Sequence, residues 1–88
     1  MKQNPDFLLR EVADSLVLVP VGEATKVFPG MITMNPTGKF LWELLAQEQT
    51  PESLTDALVE RYEVDRETAA KDVAVFVEKL TSATAIIA

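Results

Sequence analysis

Two prolines divide this chain. Asn35-Pro36 and Thr50-Pro51 each place a favoured helix N-cap directly before a proline, which fits the first helical position and is excluded from helix interiors. A third start stands at Asp65, after Val64. What reads as helix lies beyond the first of these signals, and what reads as strand lies before it. Strands followed by helices, rather than alternating with them, argue for an α+β domain with helices packed on one side of an antiparallel sheet.

The strand half reads in three pieces. Phe7 to Val12 is apolar with Arg10 and Glu11 embedded, and Ala13-Asp14-Ser15 makes a short turn. Leu16-Val17-Leu18-Val19 is then a continuous apolar run closed by Pro20, the pattern of a strand covered on both faces and joined to the first as a hairpin. Val21-Gly22-Glu23 either continues that strand or turns away. Lys26-Val27-Phe28 reads as a short extended piece, and Pro29-Gly30 as a turn. Met31-Ile32-Thr33-Met34 is the third strand.

The helix half begins at Pro36 and runs first to about Gln47, with Phe40, Leu41, Leu44 and Leu45 on one stripe. The second helix places Leu54, Ala57, Leu58 and Arg61–Tyr62 at helical spacing. The third, capped by Asp65, has Ala69, Val73, Phe76, Val77 and Leu80 as its inner stripe. With the short Glu63–Asp65 connection, the last two helices form a helix-turn-helix. Trp42 reads as a half-buried core or rim residue, or as one that faces a partner. Gly38, in the first turn of the first helix, reads first as a close-packing position and second as a site of access for a partner's backbone. The tail Ala85–Ala88 is apolar and β-prone and returns to the sheet or the core. With 88 residues and no linker or repeat, the chain is one domain, residues 1–88.

Composition removes most chemistry. There is no cysteine and no histidine, so disulfides, thiolate nucleophiles, imidazole bases and ordinary zinc sites are excluded. Glu52, Asp56 and Glu60 follow one another at i, i+4 and read as a solvated face, not as a catalytic pair. The glycines are isolated and build no phosphate cradle. The expectation is a protein that is not an enzyme and needs no cofactor or metal. The net charge of −6, with dispersed basic residues, opposes nucleic-acid binding. The absence of an N-terminal apolar run or a spanning segment makes the cytoplasm the expected compartment, with no membrane partner.

One segment stands out. Met31–Met34 would be an edge of the three-stranded sheet, and an edge exposes unpaired N–H and C=O groups. It carries neither the lysine nor the proline that usually blunts one. Its cover is either the chain's own tail, Ala85–Ala88, or an added strand from an incoming peptide.

Four stretches in order carry a family resemblance. They are Asn4-Pro5-Asp6-Phe7-Leu8-Leu9-Arg10-Glu11-Val12-Ala13-Asp14, Val17-Leu18-Val19-Pro20-Val21-Gly22, Ile32-Thr33-Met34-Asn35-Pro36-Thr37-Gly38-Lys39-Phe40-Leu41-Trp42-Glu43-Leu44-Leu45, and Asp72-Val73-Ala74-Val75-Phe76-Val77-Glu78-Lys79-Leu80. Together they resemble the PqqD family. The resemblance implies a winged helix-turn-helix-like fold, a three-stranded antiparallel sheet followed by three helices. It implies a precursor-peptide recognition element of ribosomal peptide natural-product biosynthesis. Such a non-catalytic chaperone binds the leader segment of a precursor and presents it to a modifying enzyme, often a radical SAM maturase. The leader would add a strand beside Met31, Ile32, Thr33 and Met34. By helical spacing, Lys71, Asp72, Val75 and Lys79 would line the groove. The alternatives are a winged-helix DNA-binding or regulatory protein and a homodimeric interaction scaffold; the chain itself is expected to be a monomer or a weak homodimer. Members often end the last helix with glycine. Here Thr84 follows Ala83, and threonine enters a left-handed cap at a cost, so the last turn is expected to run differently.

Overall fold

The computed structural model describes residues 1–27 and 30–87. In chain order the elements are β1 (Lys2–Gln3), β2 (Phe7–Val12), β3 (Ser15–Pro20), α1 (Ala24–Val27), β4 (Ile32–Met34), α2 (Pro36–Leu44), α3 (Pro51–Tyr62), α4 (Arg66–Ser82) and β5 (Ile86–Ile87). The three anticipated strands form one antiparallel sheet in the order β2-β3-β4, and the three principal helices follow.

The hairpin register pairs Val12 with Ser15, so the turn is Ala13-Asp14, with Ala13 at φ 54°. β3, the central strand, buries Val17 and Leu18, whose side chains point to opposite faces. Leu18 belongs to the core with Phe7, Ile32, Met34, Leu41, Leu45, Leu54, Leu58, Ala69, Val73 and Leu80. That core lies between one face of the sheet and the helices.

Each of the three principal helices starts where its sequence signal stands. The Asn35 side chain accepts from the Gly38 N–H at 2.7 Å. Thr50 and Ser53 exchange side-chain and backbone bonds in a capping box. Asp65 accepts from the Thr68 N–H at 2.7 Å. The first of these helices ends earlier than Gln47, because Ala46 and Gln47 bond to carbonyls three residues back and tighten into a closing turn. Lys26 and Val27 belong to a short helix and not to an extended piece. The rest of that expectation, Phe28, and the first residue of the Pro29-Gly30 turn lie outside the described residues. Trp42 is a core residue at 4% exposure and not a rim or partner-facing one.

The tail returns to the core, where Ala85 and Ile86 are buried. Thr84 adopts the left-handed conformation after all, at φ 64°. The N–H of Ala85 bonds to the Leu80 carbonyl at 2.8 Å and the N–H of Thr84 to the Thr81 carbonyl at 3.0 Å, which is a Schellman motif. The N-terminal segment locks it: the Asn4 amide donates to the Thr84 carbonyl at 2.7 Å, and the Asn4 N–H donates to the Ala85 carbonyl at 2.8 Å. β5 then pairs antiparallel with β1, Lys2 opposite Ile87 and Gln3 opposite Ile86. The two ends clasp each other, and among the described residues the tail does not pair with β4; Ala88 lies outside them.

Candidate functional site

β4 is short because Asn35 caps a helix immediately after it. Its side chains alternate as a strand's must: Ile32 and Met34 point into the core and Thr33 points out. Among the described residues it pairs with β3 alone, so its second edge is open. Across from that edge runs α4. Between them lies a groove floored by Ile32, Leu41, Phe76 and Leu80 and walled by Thr33, Asn35, Asp72, Val75 and Lys79. A continuation carries it past Met31, Ser82 and Ala83.

Of the residues anticipated from the sequence, Met31, Ile32, Thr33, Met34, Asp72, Val75 and Lys79 lie along this groove, and Lys71 does not. The reason is helical phase. At about 100° per residue, Asp72, Val75, Phe76 and Lys79 cluster on one side of α4, and Lys71 falls on its solvent shoulder. Sequence reasoning missed the contribution of α2. Gly38 is buried, and a Cβ there would meet Asn35 Oδ1 at 3.3 Å and Met34 Cβ at 3.6 Å. The tight contact is with the helix's own cap oxygen and the one with Met34 is ordinary, and α2 brings Thr37 and Gly38 to the groove wall and Leu41 to its floor.

The groove is amphipathic. Val75 is 67% exposed and Met31 63% exposed, unusual for apolar side chains on a wall that is otherwise packed. Asp72 and Lys79 are exposed and form no ion pair among the described residues. Among the described residues the one titration that departs clearly from its ordinary value is remote: the Thr68 backbone N–H, then its hydroxyl, hold the Asp65 carboxyl below 3.8. Among the described residues no three carboxylates gather as a metal site, and no helix is long and apolar enough to cross a membrane.

A second surface cluster lies on α2 and α3. Phe40 and Tyr62 meet edge to face at 5.7 Å, with the Arg61 guanidinium 5.9 Å from the Phe40 ring centre. The paired carboxylates considered above are solvated, and Asp56 is held by Arg66 at 2.6 Å.

These features define a class: a winged helix-turn-helix-like domain whose third sheet strand leaves its outer edge open toward the last helix. Within that class, the match of residues 15–86 to the family of Coenzyme PQQ synthesis protein D (PqqD) places the chain in that family. Two solved structures share the fold. TbiB1, in complex with the TbiA(beta) leader peptide, is 25% identical with a TM-score of 0.74, over 97% of this chain and 93% of its own. Lasso peptide synthetase B1, complexed with the leader peptide, is 22% identical with a TM-score of 0.69, over 91% of this chain and 88% of its own. No curated protein matches the chain.

Proposed function

We propose that the chain captures the leader segment of a ribosomal precursor peptide as an added strand in the β4–α4 groove. It has no catalytic group of its own and presents the precursor to a separate modifying enzyme. The observation that carries this reading is the open edge of β4 facing an apolar wall, left free because β5 is occupied by β1. The leader peptides named for the two related structures, and membership in the family, support it.

The energetics suffice. Alternate residues of an edge strand aim both backbone groups outward, so two of Met31–Met34 offer about four hydrogen bonds, together about 4 kcal/mol net. Two or three leader side chains set against Val75, Phe76 and Met31 add about 4–6 kcal/mol. Ordering the peptide takes part of this back and leaves micromolar or tighter binding. Function then follows from tethering. A leader held here, beside an enzyme that also holds this domain, raises the effective concentration of the core peptide at the active site.

For the enzyme we keep the radical SAM class that the family resemblance implied. The non-catalytic assignment rests on a sequence without histidine or cysteine and on a groove built of backbone edge and apolar wall. DNA recognition finds no support in a helix-turn-helix whose Arg66 is neutralised by Asp56 in a chain of net charge −6.

The test is titration of the isotope-labelled chain with the leader of a short peptide encoded beside it. Amides of Ile32–Met34 and of α4 should shift. Thr33→Pro, which distorts the edge strand, should abolish the shifts while the spectrum stays dispersed. Undiminished affinity in a folded Thr33→Pro variant would refute strand addition.

A further inference from the structure

The two charged residues of the groove wall sit at different ends of it. Asp72 faces the part bounded by Asn35, Thr37 and Gly38, beyond the C-terminal end of β4. Lys79 faces both parts and is joined at the other end by Met31, Ser82 and Ala83. β4 and α4 therefore run in opposite directions along the groove. Between the two charges stands Val75, the most exposed large apolar residue of the wall.

Asp72 and Lys79 are separated by about 10 Å along the helix axis. In an extended peptide, residues facing one side recur about every 6.6 Å, so three of them span about 13 Å. An added strand thus presents three alternate side chains to α4, one near each of Asp72, Val75 and Lys79. The sheet is antiparallel throughout, and antiparallel pairing is the more stable of the two arrangements. A strand antiparallel to β4 enters at the Asp72 end and leaves at the Lys79 end.

We infer that the groove selects an extended segment of the form basic-x-apolar-x-acidic, read from N to C. The basic residue lies on Asp72, the apolar one on Val75 and the acidic one on Lys79. This rests on the strand-addition reading and adds to it the chemistry and direction of the segment taken. Neither charge is held by a neighbour among the described residues, so neither has to be released from an ion pair on binding. A segment of reversed order sets like charges together at both ends. The two orders should differ in affinity by about tenfold, since exposed pairs are individually weak.

The experiment is selection from a random dodecapeptide display library on the wild-type chain and on the double variant D72K/K79D. Enriched peptides are synthesised, and groove binding is read from the amides of Ile32–Met34. Both positions are exposed, so the variant should keep its fold, which circular dichroism checks. Wild type should enrich basic-x-apolar-x-acidic segments and the double variant the opposite order, with each selected peptide preferring its own protein about tenfold. Groove-binding peptides with no charge order, with the same order on both proteins, or with acidic-first order on wild type would overturn this inference and leave strand addition standing. Failure of the double variant alone to yield such a peptide would overturn this inference, and failure of the wild-type chain to yield any peptide that perturbs the β4 amides would overturn strand addition as well.

Discussion

Val75 offers the sharpest separation of binding from folding. It projects from α4 with two thirds of its surface in solvent, so it contributes little to the core. Asparagine and valine have similar helix propensities, and Val75→Asn should change stability by less than about 0.5 kcal/mol. Binding is different. Covering the exposed part of Val75 with a leader side chain contributes about 1–1.5 kcal/mol. An asparagine amide covered instead, without a partner, adds a cost of about 1 kcal/mol or more. The sum, about 2–2.5 kcal/mol, is a loss of roughly 30- to 70-fold in affinity. Fluorescence anisotropy with a labelled groove-binding peptide measures it, and urea denaturation supplies the stability control. Affinity within twofold of wild type, for a peptide that still shifts the β4 amides, would refute the placement of the peptide against α4.

Two further outcomes test the frame that holds the groove. Thr84→Gly relieves a β-branched residue at φ 64°, worth about 1–2 kcal/mol less the extra chain entropy of glycine. A net gain of about 1 kcal/mol should raise the melting temperature by about 4–8 °C. The Asp65 cap sets a pH dependence. Its carboxyl is held below 3.8 in the folded chain, so its stabilisation is present above that value and is lost as pH falls through the folded pKa. The gap in urea midpoint between wild type and Asp65→Ala should be steady near neutrality and narrow below about pH 4.

Much of this architecture was legible because its signals are local. Asn35, Thr50 and Asp65 cap the helices they announce, since an N-cap with its acceptor side chain needs only its own next three residues. The Leu16–Val19 run became the central strand. What escaped prediction is held by distant partners. β1 and β5 are two residues each and show no periodicity, so only the fold brings them together. Thr84 defied its propensity because Asn4 binds its carbonyl from the far end of the chain. Trp42 is buried on the same side of α2 as Gly38 and Leu41, deeper than its place beside the apolar stripe implied. The groove was legible on its α4 side from helical phase, which also explains why Lys71 falls outside it. The contribution of Asn35, Thr37 and Leu41 depends on where α2 lies beside the groove and could not be read from spacing.

The clasp of β1 on β5 has a consequence for how the molecule assembles. It joins segments some 80 residues apart, as the Asn4–Thr84 bond illustrates. Ring closure over that length carries an entropic cost that local contacts do not, so hairpin and helices should form before it. Its ladder is only two residues long, so it should also open first. Hydrogen exchange should therefore find the amides of residues 2–4 and 84–87 the least protected of the paired backbone, releasing their protons by an opening that leaves the rest of the sheet intact.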